Sequence, residues 1–181
     1  MIRYVALLRG INVGGNRLIK MEALRQIFTN SGLGRVSTYI QSGNVLFESP
    51  ETNADALTSF IENRLLESLG YAVTVVLRTS SALSNTILHT PFNGIMVDKT
   101  RQIYVSFLSA VPDPNRQKAF LEYQNEWETF LFHQRDLYSL IRKDSPQKIN
   151  FSNTFAEKKL GVLATTRNWA TVQQLDELLR Q

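Results

Sequence analysis

Tyr4-Val5-Ala6-Leu7-Leu8-Arg9-Gly10-Ile11-Asn12-Val13-Gly14-Gly15-Asn16 runs from an unbroken apolar segment into three glycines, one arginine and two asparagines. A short apolar run bounded by turn residues reads as a buried strand. Met21, Leu24, Ile27 and Phe28 then recur at helical spacing until Gly32-Leu33 closes the helix. The stretch is therefore a strand-to-helix connection, the place where α/β layers present backbone N–H groups to ligands.

Working outward, Val36 to Gln41 alternates as a strand, Ser42-Gly43 makes a turn, and Asn44 to Glu48 returns as a second strand. Asn53 caps a helix whose apolar face carries Leu57, Phe60, Ile61, Leu65 and Leu69, and Gly70 ends it before the β-branched stretch Ala72 to Leu77. The order over residues 3–78 is βαββαβ, that of a ferredoxin-like plait. A short helix from Ser81 to His89 and the turn around Pro91 and Gly94 read as a junction.

A second pass follows, with Gln102 to Ser109 as a strand and Asp113-Pro114 opening a helix that runs to Tyr123. Thr129–His133 and Leu137–Arg142 form a hairpin, Asn153–Leu160 a helix closed by Gly161, and a last helix from Asn168 buries Trp169, Val172, Leu175 and Leu179. This half reads βαββα, with a terminal helix where a fourth strand is expected. The fold expected is α+β, with a ferredoxin-like subdomain at 1–80, a connecting helix and linker at 81–101, and a variant α+β subdomain at 102–181. No residue-level repeat between the halves is visible.

Composition narrows the functional classes. The 181 residues are 43% hydrophobic and 20% charged, ordinary for a globular protein. The absence of cysteine excludes disulfides, thiolate metal sites and thiol nucleophiles. The start Tyr4 to Leu8 is too short for a signal-peptide core, and no segment approaches the ~20 apolar residues that span a bilayer. A cytoplasmic protein without a membrane partner is the simplest reading. Residues 1–50 carry six basic groups against two acidic ones, and the remainder is balanced at fourteen of each, so the whole net charge of +4 sits in the first 50 residues.

Three blocks carry possible chemistry. In Arg9–Asn16 the glycines allow successive N–H groups to face one concavity, Asn12 and Asn16 add amides and Arg9 a bidentate charge, which together suit a phosphate or carboxylate. The spacing of Gly10, Gly14 and Gly15 matches neither a phosphate-binding P-loop nor a dinucleotide fingerprint. The same residues also fit a plain glycine-rich connection with Arg9 paired to a carboxylate. In Gln41-Ser42-Gly43-Asn44 the small polar residues serve the turn, and such a hairpin tip can lie far from the first strand–helix loop. In Thr165-Thr166-Arg167-Asn168-Trp169, two hydroxyls, an arginine and an N-capping asparagine at a helix entrance form another anion seat. His89 and His133 stand alone in sequence, so no metal site is expected. Ser42 has no neighbouring base, and Glu22 sits where it complements a helix dipole.

Val5-Ala6-Leu7-Leu8-Arg9-Gly10-Ile11-Asn12-Val13-Gly14-Gly15, Thr38-Tyr39-Ile40-Gln41-Ser42-Gly43-Asn44-Val45, and Ala164-Thr165-Thr166-Arg167-Asn168-Trp169 with Thr171-Val172 resemble the signature blocks of the DUF1697 family, a bacterial domain of unknown function. The resemblance implies an α+β fold of two ferredoxin-like subdomains and brings no reaction, cofactor or catalytic residue. One departure is the family's glycine-rich stretch ending in Ser-Lys-Leu, replaced here by Asp144–Phe151, with Lys148 taking the place of the lysine.

These readings converge on a small anionic ligand, nucleotide or phosphate-like, in a polar cleft between the halves. The expected contacts are Arg9, Asn12, Gly14, Gly15, Ser42, Asn44, Thr166, Arg167 and Asn168, with no cofactor and no catalytic residue assigned. An RNA or single-stranded nucleic-acid module is the alternative, resting on Tyr39 and Phe47 for base stacking without the full aromatic signature. A structural or protein-interaction domain without a ligand is the third.

Overall fold

The computed structural model describes residues 1–13, 18–89, 92 and 94–181. Among them the chain forms β1 (Ile2–Leu8), α1 (Met21–Asn30), β2 (Gly34–Tyr39), β3 (Asn44–Ser49), α2 (Ala54–Leu69), β4 (Val75–Thr79) and α3 (Ser80–Leu88), then β5 (Arg101–Leu108), α4 (Pro114–Leu121), β6 (Glu128–His133), β7 (Asp136–Arg142), α5 (Asn153–Leu160), β8 (Ala164–Asn168) and α6 (Trp169–Arg180). The strands make two four-stranded antiparallel sheets, ordered β2-β3-β1-β4 and β6-β7-β5-β8. Two compact units result, Met1–Ser84 with Leu175–Gln181, and Asn85–Gln174, so the division falls within α3 and again within α6.

The fourth strand missing from the sequence reading of the second half is β8. Thr165, Thr166 and Arg167 pair along β5, with Val105 opposite Arg167 and Phe107 opposite Thr165. A terminal helix follows β8 as α3 follows β4, so both halves run βαββαβα. The framework bonds repeat as well. Leu8 N donates to Gly43 O at 2.9 Å and Leu108 N to Arg135 O at 2.8 Å, while Arg9 N donates to Thr74 O and Ser109 N to Leu163 O, both at 2.9 Å. Strand register therefore aligns the halves residue by residue, with Tyr4-Val5 falling on Tyr104-Val105 and Arg78 on Arg167.

In the first unit Tyr4, Ala6, Leu8, Phe47 and Leu77 pack with Leu24, Phe28, Leu57, Ile61 and Leu65 of α1 and α2. Val5 and Leu7, on the opposite face of β1, are also fully buried. Burial on both faces is why Tyr4 to Leu8 reads as a continuous apolar run rather than an alternation. The second core gathers Phe120, Phe130, Leu137, Ile141, Ala156 and Leu160, with Phe132, Phe151 and Phe155 at its margin.

Caps act where the sequence places them. Asn53 Oδ1 accepts from Asp55 N and Ala56 N at 3.0 and 3.1 Å, and Asp113 Oδ1 from Asn115 N at 2.9 Å. Gly70 and Gly161 end α2 and α5 in the left-handed conformation. Of the apolar residues assigned to the last helix, Val172, Leu175 and Leu179 are buried and Trp169 is half-buried.

Asp98 organises the turn before β5. Its carboxylate accepts from Thr100 Oγ1 at 2.7 Å and from Thr100 N and Arg101 N at 2.8 Å, and these bonds pull its pKa down to about 2. A carboxyl lowered in the folded state supports the turn above its ordinary range and withdraws that support as pH falls toward the folded value. A carbon-detected NMR titration is expected to place the Asp98 midpoint near 2. An ordinary midpoint near 3.9 would show that the turn does not hold the carboxylate.

Candidate functional site

The first two polar blocks meet in the first unit. β1 and β3 are antiparallel neighbours whose last rung is Leu7 opposite Asn44, so the β2–β3 turn and the exit of β1 emerge at the same sheet edge. A hairpin tip that such a plait can leave far from the first strand–helix loop stands beside it here. Asn12 fastens them. Its Nδ2 donates to Gln41 O at 2.9 Å and to Ile19 O at 3.0 Å, and its Oδ1 accepts from Ile19 N at 2.8 Å. Its backbone is left-handed, φ +56°, a conformation asparagine tolerates better than most residues. Gly43 has φ +73°, and a Cβ there would stand 3.0 Å from Leu8 Cβ, so glycine lets the tip close on β1 without backbone strain or a shift of Leu8.

Ser42 and Asn44 do turn chemistry. Asn44 is fully buried, and its Nδ2 donates to Ser42 Oγ at 2.9 Å and Tyr39 O at 3.0 Å. Arg9 is half-buried at the exit of β1. Gly14 and Gly15 lie outside the described residues. Beside the clasp lies a cavity of about 410 Å³ lined by Asn12, Leu18, Ile19, Lys20, Met21 and Gln41. Lys20 holds the N-cap position of α1 with no side-chain capping bond. Glu22, in the first turn, is drawn to Arg25 at 2.6 Å, and that hydrogen bond lowers its pKa.

The third block is in the second unit and is strand for most of its length. Thr166 Oγ1 donates to Asn153 Oδ1 at 2.6 Å and lies 2.6 Å from Ser106 Oγ. Arg167 is buried, and its Nη1 donates to Thr165 Oγ1 and Thr166 O, each at 2.9 Å. Desolvation brings its pKa down to about 10, which leaves the guanidinium charged at neutral pH. Only Asn168 stands at a helix entrance, exposed, with Oδ1 accepting from Thr171 N at 2.8 Å. Arg78 is the first unit's counterpart of Arg167, equally buried, with Nη1 on Leu77 O at 3.0 Å.

The structure also joins residues that sequence spacing kept apart. The rings of His89 and His133, isolated in sequence, stack at 4.0 Å with 13° between planes. Nearby bonds tie α3 to the β6–β7 hairpin, with Thr86 Oγ1 donating to Asp136 Oδ2 at 2.6 Å and Tyr138 Oη to Thr86 O at 2.8 Å. Among the described residues no group of three or more His, Asp or Glu side chains is placed to hold a metal ion. Glu128 is a second omission. Buried at the start of β6, it accepts from Phe151 N at 2.7 Å and Asn150 N at 3.1 Å and so pins the 144–151 loop. Of the two aromatic candidates for base stacking, Phe47 is only 2% exposed and stacks on Tyr4, while Tyr39 is half-buried.

No helix among the described residues is long and apolar enough to cross a membrane. The chain is similar to the conserved bacterial protein SP0830 from Streptococcus pneumoniae, at 24% identity and a TM-score of 0.74, over 100% of this chain and 99% of that one. That likeness concerns the fold. None of the curated proteins compared with the chain matches it. The family described as protein of unknown function, DUF1697, matches residues 1–138, which include the Arg9 and Gln41 blocks and their Asn12 clasp, and the chain belongs to that family.

Proposed function

We propose that this protein binds a small anionic ligand, phosphate or a nucleotide phosphate, at the connection between β1 and α1. The observation that carries the reading is the bare start of α1. Lys20 occupies the N-cap, where serine, threonine, aspartate or asparagine would supply a side-chain acceptor, and it makes no such bond. Lys20 does not occupy the first N–H groups of the helix, so they can face an anion, with the helix dipole and the Lys20 ammonium acting in the same direction. The adjoining cavity and the concentration of basic residues in the first 50 positions support the same choice. Asn12 serves here as the clasp that shapes the site, since its amide is engaged by Ile19 and Gln41. Thr166, Arg167 and Asn168 belong to the other unit, and the reading does not depend on them.

The strand orders support assigning each unit to the ferredoxin-like plait, a scaffold that implies no chemistry by itself. A bacterial, cytoplasmic setting belongs to the same reading. The test is thermal unfolding of the full chain with inorganic phosphate and with a nucleoside monophosphate. A ligand at 100 times its Kd is expected to add about 2.7 kcal/mol, and Lys20→Ala and Arg9→Ala are expected to abolish the gain. Unchanged unfolding with both probes overturns the reading. Binding of RNA oligomers alone, with steep salt dependence, would instead assign the site to nucleic acid.

A further inference from the structure

Each unit is a control for the other, because register aligns Tyr4 with Tyr104, Ala6 with Ser106, Phe47 with Ser139 and Leu77 with Thr166. Ala6, Phe47 and Leu77 sit in the first unit's core. The framework therefore does not need hydroxyls at these positions, yet the second unit has three. Ser106 and Ser139 are fully buried, and Ser139 Oγ has no hydrogen-bond partner among the described residues. Burying such a group lowers stability, so packing does not account for it.

The hydroxyls lie along the sheet face behind a cavity of about 380 Å³ that includes Thr166 in its wall. Tyr104, Ile141, Ile149 and Phe151 make its apolar surface, and the two aromatic rings are 5.8 Å apart and tilted by 38°. Thr166 donates its proton to Asn153 Oδ1, which leaves Ser106 as the donor to Thr166 and turns the other end of the Asn153 amide away. The end left over is Nδ2, a pure donor. Lys143 also lines the cavity, with Nζ 6.0 Å from the Tyr104 ring centroid. Among the described residues no carboxylate lines it. The first unit's residue at the position of Lys143, two beyond the Ser49 that matches Ile141, is Glu51. Apolar walls with a few convergent donors are the make-up of a small-molecule site.

We propose that this cavity in the second unit binds a planar aromatic anion, its ring against Tyr104 and Phe151 and its charged group on Lys143 and Asn153 Nδ2. The site is separate in residues and in unit from the phosphate reading above. Backbone amide NMR of the full chain, titrated with benzoate, phenol and inorganic phosphate, tests it. Benzoate is expected to give saturable shifts at residues 149–153 and Thr166, with phenol and phosphate at least about tenfold weaker there. Lys143→Glu and Thr166→Leu, which install the first unit's residues, are each expected to weaken benzoate at least about tenfold. Lys143 is exposed, so Lys143→Glu tests the site without disturbing the core. Lys20→Ala should leave benzoate binding unchanged, which separates the two sites. Absence of saturable benzoate shifts at these residues, indifference to Lys143→Glu, or phosphate binding there as tightly as benzoate would each overturn the proposal.

Discussion

Phe120→Ala is expected to lower the unfolding free energy by about 3–5 kcal/mol, read as a shift in urea midpoint at unchanged slope. Phe120 is fully buried, and its ring lies 5.0 Å from Phe130, 5.5 Å from Phe155 and 5.7 Å from Phe132. It is the piece that fastens α4 to β6 and α5. Truncation removes the ring's burial and its edge contacts together and leaves a void that three stiff neighbours cannot collapse to fill. Phe120→Leu keeps most of the volume and is expected to cost less than about 1.5 kcal/mol. Equal losses for the two variants would show that ring packing at this point is not what holds the helices to the sheet.

Glu128→Ala is expected to cost about 3 kcal/mol, through a different mechanism. The carboxylate is 2% exposed and receives Phe151 N at 2.7 Å, Asn150 N at 3.1 Å and Asn150 Nδ2 at 3.3 Å. Its loss strips backbone donors of their acceptor where little water can reach them, and the 144–151 loop loses its tether. Amide hydrogen exchange at Phe151 should accelerate well beyond that of the β5 core amides. Glu128→Gln keeps one acceptor oxygen and is expected to fall between wild type and alanine. If Phe151 exchange is unaffected in both variants, something other than Glu128 holds the loop.

Much of the fold was legible because local chemistry and period agree along the chain. The two hairpins, the Asn53 and Asp113 caps and the glycine stops at Gly70 and Gly161 each declare themselves within a few residues. β8 does not, since Thr165-Thr166-Arg167-Asn168 is polar enough to pass for a helix entrance. It is a strand because its backbone pairs with β5 and its arginine finds hydroxyl and carbonyl acceptors beside it. The repeat between halves is hidden for a related reason. Register, which the sequence does not display, carries it, while the aligned side chains differ as sharply as Phe47 and Ser139. Polar blocks in Arg9–Asn16 and Gln41–Asn44 were visible, but their union was not. It depends on the left-handed turn at Asn12 and on a hydrogen bond 29 residues along the chain.

The unit that begins at Met1 is also closed by residues 175–181. Arg3 Nη1 donates to Leu179 O at 2.8 Å across 176 positions, and Ser84 Oγ donates to Asp176 Oδ1 at 2.7 Å across 92. During synthesis, therefore, the first sheet and its two helices can assemble early, but their last side stays unsealed until the far end of α6 has been made. Contacts of such long range make the closing of the first unit a non-local step, one that carries the loop-closure entropy of nearly the whole chain.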